Sequence, residues 1–313
     1  MALNDITLVF LGTGAAWALP ELNCPCAICK SMRLSGERRS RTALLLEGDF
    51  TLLVDCGPDI LAQLEANKVK RIDAVLITHE HGDHYIGLDE LFVFKRNQPR
   101  GSFRPIPVYL TPLSWKIIRA RFEYLKSMEV ISIRLIEPGH WFRVGPFEVF
   151  PFKTNHGKFA KGSVGYAIKV ALKGGLKKST VYTSDFMDIP YIADEIKKPD
   201  ILVIQSFWLN EPKENRPSHM SFQRAIKFIK EINPRQEAFI VHMGDADMVQ
   251  GDPHNNMAKK YEPLNPFGPP GKGQPYPIPL NHAQWQQLVE RVRADHSLDH
   301  KITVPRDGMR VSL

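Results

Sequence analysis

No run of apolar residues in this chain approaches the ~20 needed to cross a bilayer. Residues 1–5 show no basic stretch leading into a cleavable apolar segment. A cytoplasmic protein that stays off the membrane is therefore expected. Cysteine is scarce, with four in 313 residues, three of them inside six positions, which excludes a disulfide framework. The chain has no internal repeat, no domain-separating linker and no long tract of one charge sign. Lys and Arg number 41 against 34 Asp and Glu, a formal net charge of +7. Without a contiguous basic arm, that excess reads as a solvated surface with a general preference for anions, not as a nucleic-acid footprint. Gly12 and Gly14 lack the third glycine of a dinucleotide loop. The remainder is ordinary, 43% hydrophobic and 24% charged, and suits a folded chain; α/β enzymes of this length are often one folding unit.

Periodicity alternates between two and 3.6. Residues 6–11, 42–47 and 51–55 read as strands with Gly48-Asp49 as a turn, 59–66 has helical spacing through Ile60, Leu61 and Leu64, and 72–77 is an apolar strand ending on Thr78-His79. Further helices are expected at 86–95, 114–125, 221–232 and 282–294. Further strands are expected at 108–110, 130–135, 147–152, 165–172, 180–183, 201–205, 238–242, 302–304 and 309–311. Residues 251–280 hold eight prolines and four glycines without periodicity, a loop inserted in a single domain spanning 1–313. A loop that long in a compact enzyme is usually a lid, a partner-binding arm or a mobile excursion.

His79-Glu80-His81-Gly82-Asp83-His84 places three imidazoles and two carboxylates in six residues past a strand. Imidazole nitrogens and carboxylate oxygens suit Zn, Mn, Fe and Co; His79 and His81 can reach one ion from a turn while Asp83 and His84 reach a second. Merely solvated loop histidines would not need such density. Cys24-Pro25-Cys26-Ala27-Ile28-Cys29 has a spacing suited to thiolates converging on one metal.

The histidine segment resembles the H-x-H-x-D-H signature of the metallo-β-lactamase superfamily, and the resemblance extends over most of the chain. It implies an α/β fold, the αββα sandwich of that superfamily, and two divalent ions, Zn or Mn, in the active site. Later family ligands are matched by His156, Asp185 and His242. The resemblance puts His79, His81 and His156 on one metal, Asp83, His84 and His242 on the other, and Asp185 between them. Asp55 matches a position that supports the ligand loop by hydrogen bonds; a strand-end cap is the other reading. Two such metals hold a hydroxide near neutral pH and absorb developing charge, which is hydrolysis chemistry best suited to a phosphodiester.

Two branches of the superfamily compete. The cysteine cluster after Leu11-Gly12-Thr13-Gly14 is similar to a structural zinc motif in the phosphodiesterases that accompany the carbon-phosphorus lyase pathway. Ribonuclease Z, the tRNA 3′-end endonuclease, shares a Gly-Thr-Gly start and a segment like residues 77–84 followed by Gly87-Leu88. The cysteines favour the first branch. Its fourth zinc ligand is a histidine three residues after the last active-site histidine, where this chain has Asp245. A third, structural zinc is thus held by Cys24, Cys26, Cys29 and Asp245, or borrows His254, or the site is empty. His219 matches a histidine that both branches place near the scissile phosphate, to bind an oxygen or protonate the leaving group; otherwise it merely starts a helix, with Ser218 as cap. His219 and Asp83 are the catalytic candidates. Gly12 and Gly14 suit a turn passing close to the site, Cys56 is expected buried, and Lys30, Arg33, Arg38, Arg39 and Arg41 read as a solvated face.

The expected function is a metal-dependent phosphodiesterase acting on a small or cyclic phosphodiester through a metal-activated hydroxide. A tRNA-processing endonuclease is the second reading, with residues 251–280 as its one candidate tRNA arm, and a non-catalytic metal-binding scaffold the third. The expected partner is the small-molecule substrate, nucleic acid comes second, and a homodimer is left open.

Overall fold

The computed structural model describes residues 5–271 and 273–313; residues 1–4 of the segment read as leaderless, and Lys272 of the long loop, lie outside them. The strands are β1 (Thr7–Gly12), β2 (Ala43–Glu47), β3 (Leu52–Val54), β4 (Ala74–Leu76), β5 (Ile106–Leu110), β6 (Ile131–Leu135), β7 (Phe142–Val144), β8 (Phe147–Lys153), β9 (Val164–Ala171), β10 (Lys177–Tyr182), β11 (Ile201–Gln205), β12 (Glu237–Val241), β13 (Lys301–Thr303) and β14 (Met309–Ser312). They form two seven-stranded sheets, ordered β14-β1-β2-β3-β4-β5-β6 and β13-β12-β11-β10-β9-β8-β7. The helices are α1 (Ala27–Leu34), α2 (Ile60–Ala66), α3 (Gly82–Tyr85), α4 (Phe92–Arg96), α5 (Pro112–Ser127), α6 (Phe222–Ile232) and α7 (His282–Asp295).

Three buried layers make this a four-layer sandwich. Leu44, Leu46, Leu52 and Val54 meet Val149, Tyr166, Val203 and Phe239 between the sheets. Leu45, Leu53 and Val75 pack on Ile60, Ile118 and Phe122 of the helices outside the first sheet. Leu202, Ile204 and Ile240 pack on Ala225, Ile229 and Val289 outside the second. Strand β11, Ile201-Leu202-Val203-Ile204-Gln205, is buried at every position, because alternate side chains enter different layers and neither face meets water. Helix α6 begins at Ser221, whose side chain accepts from Arg224 N, and buries Phe222, Ala225, Ile226, Ile229 and Ile232 along one stripe.

Most elements fall where periodicity puts them, but β7 and α3 were not expected, and further readings change. Residues 86–95 split into a 3-10 turn (Ile86–Leu91) and α4, since the chain must bend away from the histidine loop. Helix α1 starts inside the cysteine motif, where its Ile28, Cys29 and Met32 stripe is too short to stand out. Of the segment taken as a solvated basic face, Lys30, Arg33 and Arg38 are exposed as expected, although Arg33 also donates to Cys24 O; Arg39 is instead buried on Thr13 Oγ1 (2.8 Å) and Pro305 O (2.9 Å), and Arg41 pairs with Asp59 at 2.9 Å. Gly12 and Gly14 lie in a strand end and a β-bridge rather than a turn, and Gly14 bridges Met243, so the chain does pass close to His242; a Cβ on Gly12 would lie 2.0 Å from Arg41 O and one on Gly14 2.7 Å from Arg39 O.

The long loop has no helix or strand among its described residues. Its Phe267 and Tyr276 nonetheless enter the layer beneath α6 and α7, and Asn210 Oδ1 accepts from Phe267 N at 2.7 Å. No helix among the described residues is long and apolar enough to cross a membrane.

Candidate metal centre

The strands β3, β4, β8, β10, β11 and β12 deliver their carboxyl ends to one edge of the sandwich, the usual place for a site in α/β sheets. Asp55 follows β3, His79 follows β4, His156 follows β8, Asp185 follows β10 and His242 follows β12. Four non-glycine residues here, Asp55, Ser184, Ser218 and His242, have φ between 57° and 65°. Such backbone costs about 1–3 kcal/mol each. At Asp55, Ser184 and His242, which follow strands β3, β10 and β12, strand ends gripped on both faces can hold it; Ser218 lies in the loop before α6.

Two ligand groups result. His79, His81 and His156 converge so that one donor atom of each lies within 4.8 Å of the others, and Asp83, His84, Asp185 and His242 do the same. Asp185 Oδ2 lies 3.3 Å from His84 Nε2 and 3.8 Å from His156 Nε2, so its carboxylate stands between the groups. A third set joins His156, Asp185 and His219.

The outer nitrogens are fixed by oxygen partners. His84 Nδ1 donates to Asp55 Oδ2 at 2.8 Å, and Asp55 also accepts from Thr78 N and Thr78 Oγ1, both at 2.9 Å. With its proton on Asp55, Thr78 Oγ1 accepts from His79 Nδ1 at 3.0 Å. His156 Nδ1 donates to Ser218 O at 2.9 Å. Each ring thereby turns Nε2 inward, an arrangement that sets tautomer and orientation of metal-bound histidine. Asp55 thus supports the ligands and caps a strand end at once.

Buried polar atoms normally find partners, yet His79 Nε2, His84 Nε2, both ring nitrogens of His242 and Asp185 Oδ1 have none. His242 Nδ1 comes to 2.9 Å of Asp185 Oδ1 without the alignment of a hydrogen bond. Converging orphaned donors of this type fit divalent cations.

Charge agrees with that use. Burial holds His79, His81 and His219 below the ordinary histidine range and His156 at about 4, the neutral form that coordination requires. Burial raises Asp83 and Asp185, but the attraction of His84 holds Asp83 near 2, and that of His242 and His84 keeps Asp185 low. Burial opposes charge on His84, yet Asp83, Asp185 and Asp55 outweigh it and raise its pKa. Three carboxylates around one ring create a demand for positive charge.

His219 sits beside the groups, its ring stacked on Phe207 with centroids 4.4 Å apart. It does not start a helix, and the cap is Ser221, not Ser218. Three positioning residues were not singled out from the sequence. Gln205 holds His219 Nδ1 at 2.5 Å. Asn215 brackets the His219 backbone, accepting from its N and donating to its O. Glu80 accepts from Ser114 Oγ at 2.8 Å and Gly162 N at 3.1 Å, joining the histidine loop to α5 and to the loop after His156. The available signals were a polar residue ending an apolar strand and a carboxylate between two histidines.

Just beyond His242 in the loop after β12, Asp245 joins Cys24, Cys26 and Cys29 in a buried cluster. Asp245 Oδ2 lies 3.0 Å from Cys29 Sγ, 3.3 Å from Cys26 Sγ and 3.8 Å from Cys24 Sγ. Lys259 Nζ contacts Asp245 Oδ2 and lies 3.0 Å from Cys24 Sγ. The Cys29 thiol donates to Asp245 Oδ2, and the mutual approach of the Cys26 and Cys29 thiols brings Cys26 down to about 6 and pushes Cys29 up. His254 instead pairs with Asp252 at 2.9 Å, outside the cluster, because Asp252 also holds Ala27 N at 2.8 Å and keeps that part of the loop against α1. Cys56 is buried, as expected.

Fold and residue set are those of the metallo-β-lactamase type. The family model for the beta-lactamase superfamily domain matches residues 51–243, and the chain belongs to that superfamily. It is 30% identical over 247 residues to an octanoyltransferase of Porphyromonas gingivalis, covering 75% of this chain and 45% of that protein. It is 30% identical over 169 residues to a ribonuclease Z of Thermococcus sibiricus, covering 51% of this chain and 47% of that one. The chain spans less than half the length of these relatives. A crystal structure of a diphosphatase of the PhnP family superposes with a TM-score of 0.70 at 20% identity, covering 99% of this chain and 98% of that one.

Proposed function

We propose that this protein is a dinuclear phosphodiesterase that hydrolyses a small or cyclic phosphodiester. The observation that supports it best is the set of buried, unpartnered atoms His79 Nε2, His84 Nε2, Asp185 Oδ1 and His242 Nδ1 and Nε2, with the neutral His219 beside them. In this reading His79, His81 and His156 hold one divalent ion, Zn or Mn, and Asp83, His84 and His242 the other, with Asp185 between. Two bound ions supply Lewis acidity and an activated water. Water oxygen bonds to phosphorus as the bond to the leaving oxygen breaks. Asp83, ionised at neutral pH, accepts the water proton. His219, brought to its imidazolium form by the approaching phosphate anion, gives its Nε2 proton to the leaving oxygen and recovers one from solvent, a service worth about 10²–10⁴-fold.

Cys24, Cys26, Cys29 and Asp245 hold a third, structural zinc. Three thiolates and a carboxylate around a dication leave an excess of negative charge. Lys259 on Asp245 Oδ2 and Lys260 on Asp245 O offset it.

Purified protein is tested by metal analysis and a panel of a bis-aryl phosphodiester, cyclic phosphates, precursor tRNA, a thioester and a β-lactam. Two active-site metals with turnover confined to phosphodiesters support the proposal; a thioester or β-lactam as the preferred substrate overturns it. Cleavage of precursor tRNA alone selects the ribonuclease Z-like reading, which the similarity to that enzyme favours.

A further inference from the structure

The chain's net charge is local. Residues 95–134 carry nine Lys and Arg against Glu123 and Glu129, while the rest of the chain holds 32 residues of each sign. In sequence these cations are dispersed, so no basic tract is visible. The fold collects them on α4, the loop after it, α5 and the adjoining edge strand β6. Arg96, Arg100, Arg104, Lys116, Arg119, Arg121, Lys126 and Arg134 are exposed and Lys95 half-buried. Among the described residues no carboxylate lies within 4.0 Å of any of the nine. Elsewhere Arg41, Arg143, Arg224 and Lys301 are all paired. Asp89 and Glu90 flank the face, and Asp89 accepts from Tyr124 Oη.

This face starts at the metal loop. Ser114 in the first turn of α5 is bonded to Glu80, Phe122 packs on Tyr85 at 5.8 Å, and Met128 O past its end accepts from Lys95 Nζ at 2.6 Å. Helix α5 and residues 80–95 therefore run side by side away from the centre. The 16 residues of α5 extend about 24 Å. Exposed Leu113, Ile117 and Tyr124 lie on α5 with its cations, and Phe92, Phe103 and Trp115, packed on the core beneath, are half-exposed beside them, a mixture of charge and apolar surface that suits unpaired bases on a phosphate backbone.

We infer that this α4–α5 face, which adjoins the metal centre, binds a single-stranded polynucleotide. The binding does not depend on which phosphodiester the centre hydrolyses. Unpaired cations that begin at a phosphodiester site favour a polyanion over a protein or lipid partner.

The test is fluorescence anisotropy of the metal-loaded protein with a labelled 16-nucleotide 2′-O-methyl oligouridylate. Four phosphate contacts predict an affinity loss of roughly 50-fold between 50 and 200 mM salt. The variant K116E/R119E/R121E/K126E should bind at least about tenfold more weakly at 100 mM salt, with metal content and melting temperature unchanged. K177E/K178E/R235E, which reverses three other cations at the far end of the second sheet, should bind like wild type. Equal losses in both variants, or none in the first, overturn the inference. Phosphatidylserine vesicles bound more tightly than the oligonucleotide, with the same loss in the first variant, overturn it in favour of a membrane surface. Since anisotropy reads binding alone, a protein that binds the oligonucleotide but hydrolyses no phosphodiester sinks only the catalytic reading.

Discussion

Gln205 presents its amide Nε2 to His219 Nδ1 at 2.5 Å, while its Oε1 accepts from Phe186 N at 2.7 Å. The amide cannot turn round without breaking the second bond, so His219 accepts at Nδ1 and carries its proton on Nε2. His219→Ala is expected to keep both active-site metals and lose about 10²–10⁴-fold in hydrolysis. Metal loss in that variant, counted by mass spectrometry, moves His219 into coordination. Gln205→Glu, which accepts where the amide donated, inverts the tautomer and should lose more activity than Gln205→Leu at equal metal content. The opposite order removes the proton from Nε2.

Asp185 stands between the two ligand groups, close to His84, His156 and His242. Asp185→Ala should therefore lose most bound metal and nearly all hydrolysis, while its circular dichroism stays native. An active variant with its metals retained contradicts the dinuclear arrangement.

Asp55 binds Thr78 twice and His84 once. Asp55→Asn keeps the shape but lacks acceptors for all three donors, so metal affinity should fall about 10- to 100-fold, the usual cost of losing such a partner. Chelator competition measures it; unchanged affinity leaves Asp55 as a strand-end cap only.

Much of this was legible because the physics is local. The unbroken apolar run of β11 announces a strand buried on both faces, and the density of the segment from His79 to His84 announces ions. His156 and His242, alone in their segments, gain meaning only from the resemblance and from strand ends that meet in space. Gln205 and Asn215 stayed hidden because a hydrogen bond to a distant imidazole leaves no local pattern. Arg39 and Arg41 were misread because partners such as Pro305 and Asp59 are distant in sequence, and the basic face of α4 and α5 escaped because its charges are spread over forty positions.

His282 at the first turn of α7 has Nδ1 3.2 Å from Arg39 Nη2. Burial, then the charges of Arg39 and Arg306, lower its pKa to about 4. A histidine depressed in the folded state stabilises fully above its unfolded value of about 6.5. That contribution is lost as pH falls from about 6.5 towards 4, because the unfolded chain takes the proton first. Allowing for solvent screening of a half-buried ring, about 1–2 kcal/mol is at stake. The melting temperature of His282→Gln should fall less than that of wild type between pH 7 and 4.5; parallel curves exclude this contribution.

The cysteine cluster makes the sharpest zinc-counting test. Its three sulfurs and Asp245 Oδ2 surround one small volume and belong to no active-site group, so Cys26→Ser should release one zinc while the two active-site ions stay bound. Lys259 bridges Asp245, Glu21 and Cys24, and Asp252 pins the start of α1. Zinc loss should therefore loosen residues 24–41 together with the loop after Asp245, seen as faster amide exchange in both, since structural zinc contributes directly to folding. Asp245→Ala should lose the same zinc. If neither variant changes the zinc count, the third site does not exist. Loss in Cys26→Ser alone keeps the site but takes the fourth position from Asp245, and His254→Ala then asks whether that histidine leaves Asp252 to fill it.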